Sequence, residues 1–180
     1  MATSMRAVLS IPVNKRDHAQ GPETASVTLV EYGDFECPHC AAAHVILKQI
    51  RKRMGDKLRF VFRHFPLTQI HPHAESAAEA SEAANALGQF WEMHDLLFEN
   101  QPKLNSSNLL MFAKQVGLDT ERFARELGEG AYRERVRADF LSGVRSGVNG
   151  TPAFFINGVR YDGSWDMEPL VAALKRSVAS

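Results

Sequence analysis

The sequence predicts an α/β domain interrupted by a helical insertion, and three observations carry that expectation. A β-branched run, Val27-Thr28-Leu29-Val30-Glu31-Tyr32, leads into a helical pattern from Pro38 and then a second apolar run, Leu58-Arg59-Phe60-Val61-Phe62-Arg63. From about His71 to Gly147 the pattern is helical throughout. The chain then returns to β-structure around Asn157-Gly158 and closes on one more helix. The expected organisation is residues 1–70 with 148–180 as the α/β frame and 71–147 as an inserted helical subdomain. With 180 residues, the chain is long enough to bury roughly 70 % of its unfolded surface.

Each element follows from a local signal. An edge strand is expected around Arg6 to Leu9, and Gly21-Pro22 marks a turn. The first long strand, Val27 to Tyr32, is rich in β-branched residues. Gly33-Asp34-Phe35-Glu36 turns the chain, and Pro38 suits the first helical position, where its missing N–H is no loss. That helix should run to about Met54 and end at Gly55-Asp56, with Ala41, Val45, Ile46, Leu47 and Ile50 as its apolar face. Leu58 to Arg63 makes the second strand, stopped at His64-Phe65-Pro66. Strand, helix, strand at this spacing is a crossover unit, so the two strands should be parallel.

In the insertion, His73 to Leu87 is alanine-rich with Gly88 as its stop, and Phe90, Trp91, His94, Leu97 and Phe98 form one helical stripe. Ser106 or Ser107 caps a helix through Val116, Asp119 caps another through Leu127, and Ala131 to Val144 makes the last of four to five. Ala153 to Ile156, Asn157-Gly158 and Val159 to Tyr161 read as a hairpin, because Asn-Gly supplies the positive φ of a type I′ turn. The final helix runs from about Met167 to Val178.

The chemistry concentrates at Cys37-Pro38-His39-Cys40, which contains the only two cysteines. A Cys-x-x-Cys pair at a strand-to-helix junction reads as a redox motif of the thioredoxin-like kind. Pro38 at the first helical position makes Cys37 the N-cap, facing free backbone N–H groups and the positive end of the helix dipole. Such surroundings lower a cysteine pKa from about 8.5 to roughly 3.5–7.5, and a protonated His39 adds positive charge nearby. Cys40, one turn in, is expected to be less accessible and to keep a more ordinary pKa. Cys37 is therefore the expected nucleophile and Cys40 the resolving thiol. Phe35, beside this turn, is a candidate exposed apolar contact for substrate. Further along, Gly150-Thr151-Pro152 precedes the hairpin, and a proline there must stand at a strand's edge or start.

Taken together, these motifs resemble the DsbA family of thiol–disulfide oxidoreductases over Ser26 to Ser180. Phe90 to Phe98 and Gly150 to Gly158 resemble one branch, which includes soluble proteins and domains fused to sodium/proton antiporters. The resemblance implies a thioredoxin-like fold and a cis peptide at Thr151-Pro152 packed against the cysteine pair. There it turns backbone groups toward the reactive sulfur, where an extended substrate can pair as an added strand; the alternative is a trans proline at a strand entrance. It also implies a buried acid beneath the disulfide at Glu31, able to relay a proton to or from Cys40. The alternative there is a structural acid paired with Arg59 or Arg63. Thr151 departs from the valine common before the cis proline in periplasmic oxidases.

Other functions are less well supported. Acidic and basic residues balance at 21 each, so no charge block points to nucleic acid, and no segment reaches transmembrane length. Arg51-Lys52-Arg53 reads as a helix-end cluster. A zinc site built from Cys37, His39 and Cys40 with His71 and His73 lacks a second ligand pair at family spacing, so no metal is expected. His94 reads as a hydrogen-bonded packing residue. Thiol–disulfide exchange needs no cofactor; the expected partners are protein or peptide thiols and disulfides, plus a redox partner protein. The competing reading is a redox-sensing or partner-binding module without turnover. The apolar run Ala7 to Ile11 is too short for a secretory signal, so a cytoplasmic location is expected, or a periplasmic one if a leader has been removed.

Overall fold

The computed structural model describes residues 6–178. Its elements, in chain order, are β1 (His18–Gln20), β2 (Val27–Gly33), α1 (Pro38–Met54), β3 (Leu58–His64), α2 (Ala74–Asn85), α3 (Phe90–Glu99), α4 (Ser106–Gln115), α5 (Thr120–Gly128), α6 (Arg133–Arg145), β4 (Ala153–Ile156), β5 (Val159–Tyr161) and α7 (Met167–Val178). The five strands form one sheet in the order β1-β3-β2-β4-β5. β2 and β3 run parallel, as a strand–helix–strand crossover demands, and the other neighbours are antiparallel. Five helices intervene between β3 and β4, forming the expected insertion.

Period-2 alternation along β2 divides the interior into two layers. Val27 and Leu29 face one core with Phe60, Phe62, Phe154 and much of α1, α2, α3 and α7. Val30 and Tyr32 face the other with Val61, Phe65 and Phe155, against which Phe140 of α6 packs. Helix α6 comes unusually close on that side: a Cβ on Gly143 would lie 2.7 Å from the Phe65 ring and 3.0 Å from the Tyr32 ring. The hairpin turn has Asn157 at φ 49° and Gly158 at φ 81°, as a type I′ turn requires. Among the described residues no helix is long and apolar enough to cross a membrane.

Three local expectations are corrected. The N-terminal edge strand is not Arg6 to Leu9, where only a single bridge joins Val8 to Val159; it is β1, pairing His18 with Phe62 and Gln20 with Phe60. A three-residue polar edge strand has no hydrophobic period to betray it. On α1, Val45 is 57 % exposed while Ala43 and His44 are buried, because burial of Cys40 at the helix start rotates the core face onto Cys40, His44 and Leu47. Helix α4 is capped by Asn105, whose side chain accepts from the Asn108 amide, and not by Ser106 or Ser107. Arg51, Lys52 and Arg53 do fall in the last turn of α1, and the Arg51 guanidinium lies 5.3 Å from the Phe60 ring centroid and 5.9 Å from that of Trp91. Asp119 does cap α5, accepting from the Arg122 amide.

Candidate active site

Cys37 is the N-cap of α1, with φ −74° and ψ 121°, and Pro38 takes the first helical position. The turn that delivers it is fastened by acids. Asp34 accepts from the Glu36 amide (2.8 Å), the Leu67 amide (2.8 Å) and His71 Nδ1 (2.7 Å), and Glu36 accepts from the His73 amide (2.7 Å). These bonds hold His71 and His73 in the loop before α2. The two groups of side chains with metal-ligating geometry among the described residues include neither them nor the cysteines.

Cys37 keeps 4 % of its surface and Cys40 none, so the second thiol is the less accessible one, as expected. Both cysteines are free. Their acidities separate. Cys37 is drawn down from an ordinary 9.0 to about 5, chiefly by the hydrogen bond from the Cys40 thiol; burial opposes this, and Thr151 and the Cys40 and His39 amides reinforce it. Burial pushes Cys40 well up, and the hydrogen bond to Cys37 and the nearby Glu31 charge add to the rise. The source of the low Cys37 pKa therefore differs from the expectation. Cys37 Sγ makes no full capping hydrogen bond, so the neighbouring thiol outweighs the helix terminus. Exposed His39 acts on the sulfur through its backbone N–H.

Thr151-Pro152 is a cis peptide, and the Thr151 carbonyl lies 3.5 Å from Cys37 Sγ. As a thiol, Cys37 can donate to that carbonyl. Once ionised it needs a donor instead, and the Thr151 side chain, whose hydroxyl is buried with no other hydrogen-bond partner, helps to lower the Cys37 pKa.

Glu31 lies on the α1 side of β2, opposite Phe62 and Phe154 in register. It is 1 % exposed; burial lifts its pKa to about 8, with Arg51 pulling down and Cys37 pushing up. Its Oε1 has no hydrogen-bond partner. Pairing with Arg59 or Arg63 is excluded by strand parity: those residues pair with Thr28 and Tyr32 and face away from Glu31. Arg63 instead holds Asp17 through Nε (2.8 Å) and Nη2 (2.9 Å), and donates to the Ile11 carbonyl and the Tyr32 hydroxyl.

The expectation that Phe35 is an exposed substrate contact fails. Phe35 is 1 % exposed, with its ring 4.8 Å from Phe98, 5.2 Å from Phe62 and 5.7 Å from His94. Two residues before the N-cap, its side chain turns under α3 rather than outward. Gln101, which sequence reasoning missed, reaches from beyond α3 to the loop: its amide nitrogen donates to the Phe35 carbonyl and, at 3.1 Å, to the Cys37 carbonyl. No local signal marks a contact across 64 residues.

The family model described as thioredoxin matches residues 13–176. The chain belongs to the thioredoxin family. Among solved structures, this thioredoxin-family chain superposes on oxidised BdbD from Bacillus subtilis with a TM-score of 0.85 and 25 % identity, covering 97 % of this chain and 100 % of that one. A thioredoxin-like oxidoreductase from Silicibacter pomeroyi gives 0.81 and 26 %, covering 93 % and 95 %. The thiol–disulfide exchange protein α-DsbA2 of Wolbachia pipientis shares the fold, at 0.78 and 22 % identity over 91 % and 88 %. By sequence, the chain is 45 % identical over 172 residues to a Na+/H+ antiporter, NhaA 1, of Salinispora arenicola, covering 95 % of this chain but 26 % of that protein. The chain thus spans about a quarter of the curated relatives it matches.

Proposed function

We propose that this protein is a thiol–disulfide oxidoreductase that exchanges disulfides with protein or peptide substrates through Cys37 and Cys40. The observation that carries this reading is the placement of Cys37 at the N-terminus of α1, 3.5 Å from the carbonyl of a cis Thr151-Pro152 peptide, with Cys40 buried one turn in and Glu31 buried on the same side of the sheet. When the pair is oxidised, a substrate thiolate attacks Cys37 Sγ and forms a mixed disulfide. The Cys37–Cys40 bond breaks, and Cys40 leaves with a proton supplied by the Glu31 carboxyl. A second substrate thiolate then attacks the substrate sulfur and expels Cys37 as a stable thiolate. When the pair is reduced, the Cys37 thiolate attacks a substrate disulfide. Glu31 then takes the Cys40 proton, and Cys40 attacks Cys37 to release the reduced substrate. Low leaving-group pKa speeds the first sequence; a carboxyl near neutrality suits transfer in both.

An extended substrate is read as docking beside Thr151-Pro152, whose backbone already borders the reactive sulfur. Net direction follows the compartment's redox poise: a reducing cytoplasm drives the couple toward Cys37 thiolate and disulfide reduction, an oxidising periplasm the reverse. Insulin reduction and oxidation of a reduced, scrambled substrate, each on wild type and Cys37→Ser, test the proposal. Turnover by wild type alone is the expected result. A wild type no faster than the variant would leave a partner-binding or redox-sensing module in its place.

A further inference from the structure

A second cluster of chemistry lies one helical turn behind Cys40, where α1 meets α3. His44, His94 and Asp95 each offer one ligand atom, and those atoms lie within 4.8 Å of one another. His94 Nδ1 is 3.0 Å from Asp95 Oδ1, and His44 Nε2 is 3.9 Å from the same oxygen and 3.8 Å from Glu99 Oε1. His44 is 4 % exposed, and its Nε2 has no hydrogen-bond partner although two carboxylates face it. Those separations are too long for hydrogen bonds. Together with the 3.0 Å between His94 Nδ1 and Asp95 Oδ1, they bracket the spacing of about 3.3 Å between donors that bind one tetrahedral ion at about 2.0–2.1 Å.

We propose that His44, His94 and Asp95, completed by Glu99, form a binding site for a divalent transition-metal ion of the Zn2+ class. Two imidazoles and two carboxylates are borderline donors suited to such an ion, and they balance its charge. Two cations already face the cluster: Arg51, which acts on both imidazoles and on Asp95, and Lys48, whose Nζ is 2.9 Å from Glu99 Oε1 and 3.5 Å from Asp95 Oδ2. Lys48 and Glu99 are about half exposed on their side chains, so the ammonium can swing into solvent as the ion enters and Glu99 closes over it. The other ligand-bearing group, His18, His64 and Glu82, is already closed. Both imidazoles bond Glu82 Oε1, at 2.7 and 2.8 Å, and Arg135 lies 3.8 Å from it. An ion at the proposed site would join the helix that carries the cysteines to the insertion.

The test is Zn2+ titration of the full chain in its oxidised form, where the disulfide removes both thiols as ligands, with Co2+ absorption reporting the coordination. The expected result is one equivalent bound with a rise in Tm, and a nitrogen/oxygen Co2+ spectrum. His44→Gln abolishes binding, Glu99→Gln weakens it tenfold or more, and Lys48→Met tightens it tenfold or more. The last two change half-exposed side chains and keep the test decisive if the buried variant fails to fold. No uptake by the oxidised chain overturns the proposal. So does affinity unchanged in Glu99→Gln and Lys48→Met, which would assign any bound ion to other residues.

Discussion

Replacing Cys40 with alanine isolates the largest contribution to the acidity of Cys37. In the reduced protein Cys37 ionises near pH 5, so at pH 7 about 99 % of it is thiolate. The Cys40 thiol is the foremost cause, followed by the Thr151 and backbone hydrogen bonds once burial is set against them. A hydrogen bond to a charged acceptor contributes about 1.5–3 kcal/mol, which is about 1–2 pH units. Cys40→Ala should therefore move the ionisation midpoint from about 5 to roughly 6–7. Thr151→Val should move it in the same direction by less. The rate of alkylation by iodoacetamide against pH measures the midpoint, and Cys40→Ala carries a single thiol, so its profile is unambiguous. A wild-type midpoint near that of free cysteine, or a Cys40→Ala midpoint equal to wild type, would refute the assignment of the shift to the neighbouring thiol.

Four further outcomes follow from the same geometry. With Cys37 ionised above about 5 and Cys40 protonated past neutrality, reduction takes up one proton per two electrons. The potential should fall about 30 mV per pH unit between pH 6 and 7.5 and lie above about −270 mV at pH 7; a 59 mV slope in glutathione titrations contradicts the ionised Cys37. Burial raises the Glu31 pKa from 4.5 to about 8, so the folded chain binds a proton that the unfolded chain has released. That costs stability increasingly as pH climbs from 4.5 to 8. Glu31→Gln should accordingly stabilise the oxidised protein in urea unfolding by an increment that grows over that range, to about 4 kcal/mol at its top, while slowing turnover; an increment independent of pH would count against the buried acid. Arg63→Met strands Asp17 and should cost about 3–5 kcal/mol in urea unfolding, whereas a loss under about 1 kcal/mol would mean the pair is solvated. Phe35→Ala should cost about 3–5 kcal/mol with the KM for substrate unchanged; a raised KM at intact stability would restore it as a contact.

Legibility in the sequence followed the range of the interaction. β2, α1, β3 and the Asn157-Gly158 hairpin were readable because β-branched runs, a proline at the first helical position and a positive-φ dipeptide each act within a few residues. The deeper burial of Cys40 than of Cys37 was readable for the same reason, since it follows from helix position alone. Phe35 was misread because proximity along the chain to a reactive cysteine says nothing about which side of the turn a ring takes. The helix-end placement of Arg51 was legible, but not that helical rotation lays it over Phe60 and Trp91. Parity decided Glu31: only the register of β2 against β3 shows that Arg59 and Arg63 face the opposite layer.

The Gln101 amide has a consequence for how such chains can be varied. A side chain rooted behind α3 grips the carbonyls of Phe35 and of the nucleophile itself, so the five-helix segment is wired into the reactive loop and is not a detachable ornament on the sheet. Exchanging that segment between relatives, or pruning it to reach a minimal scaffold, would free those carbonyls and loosen the ledge from which Cys37 projects, unless the graft brings a clamp of its own.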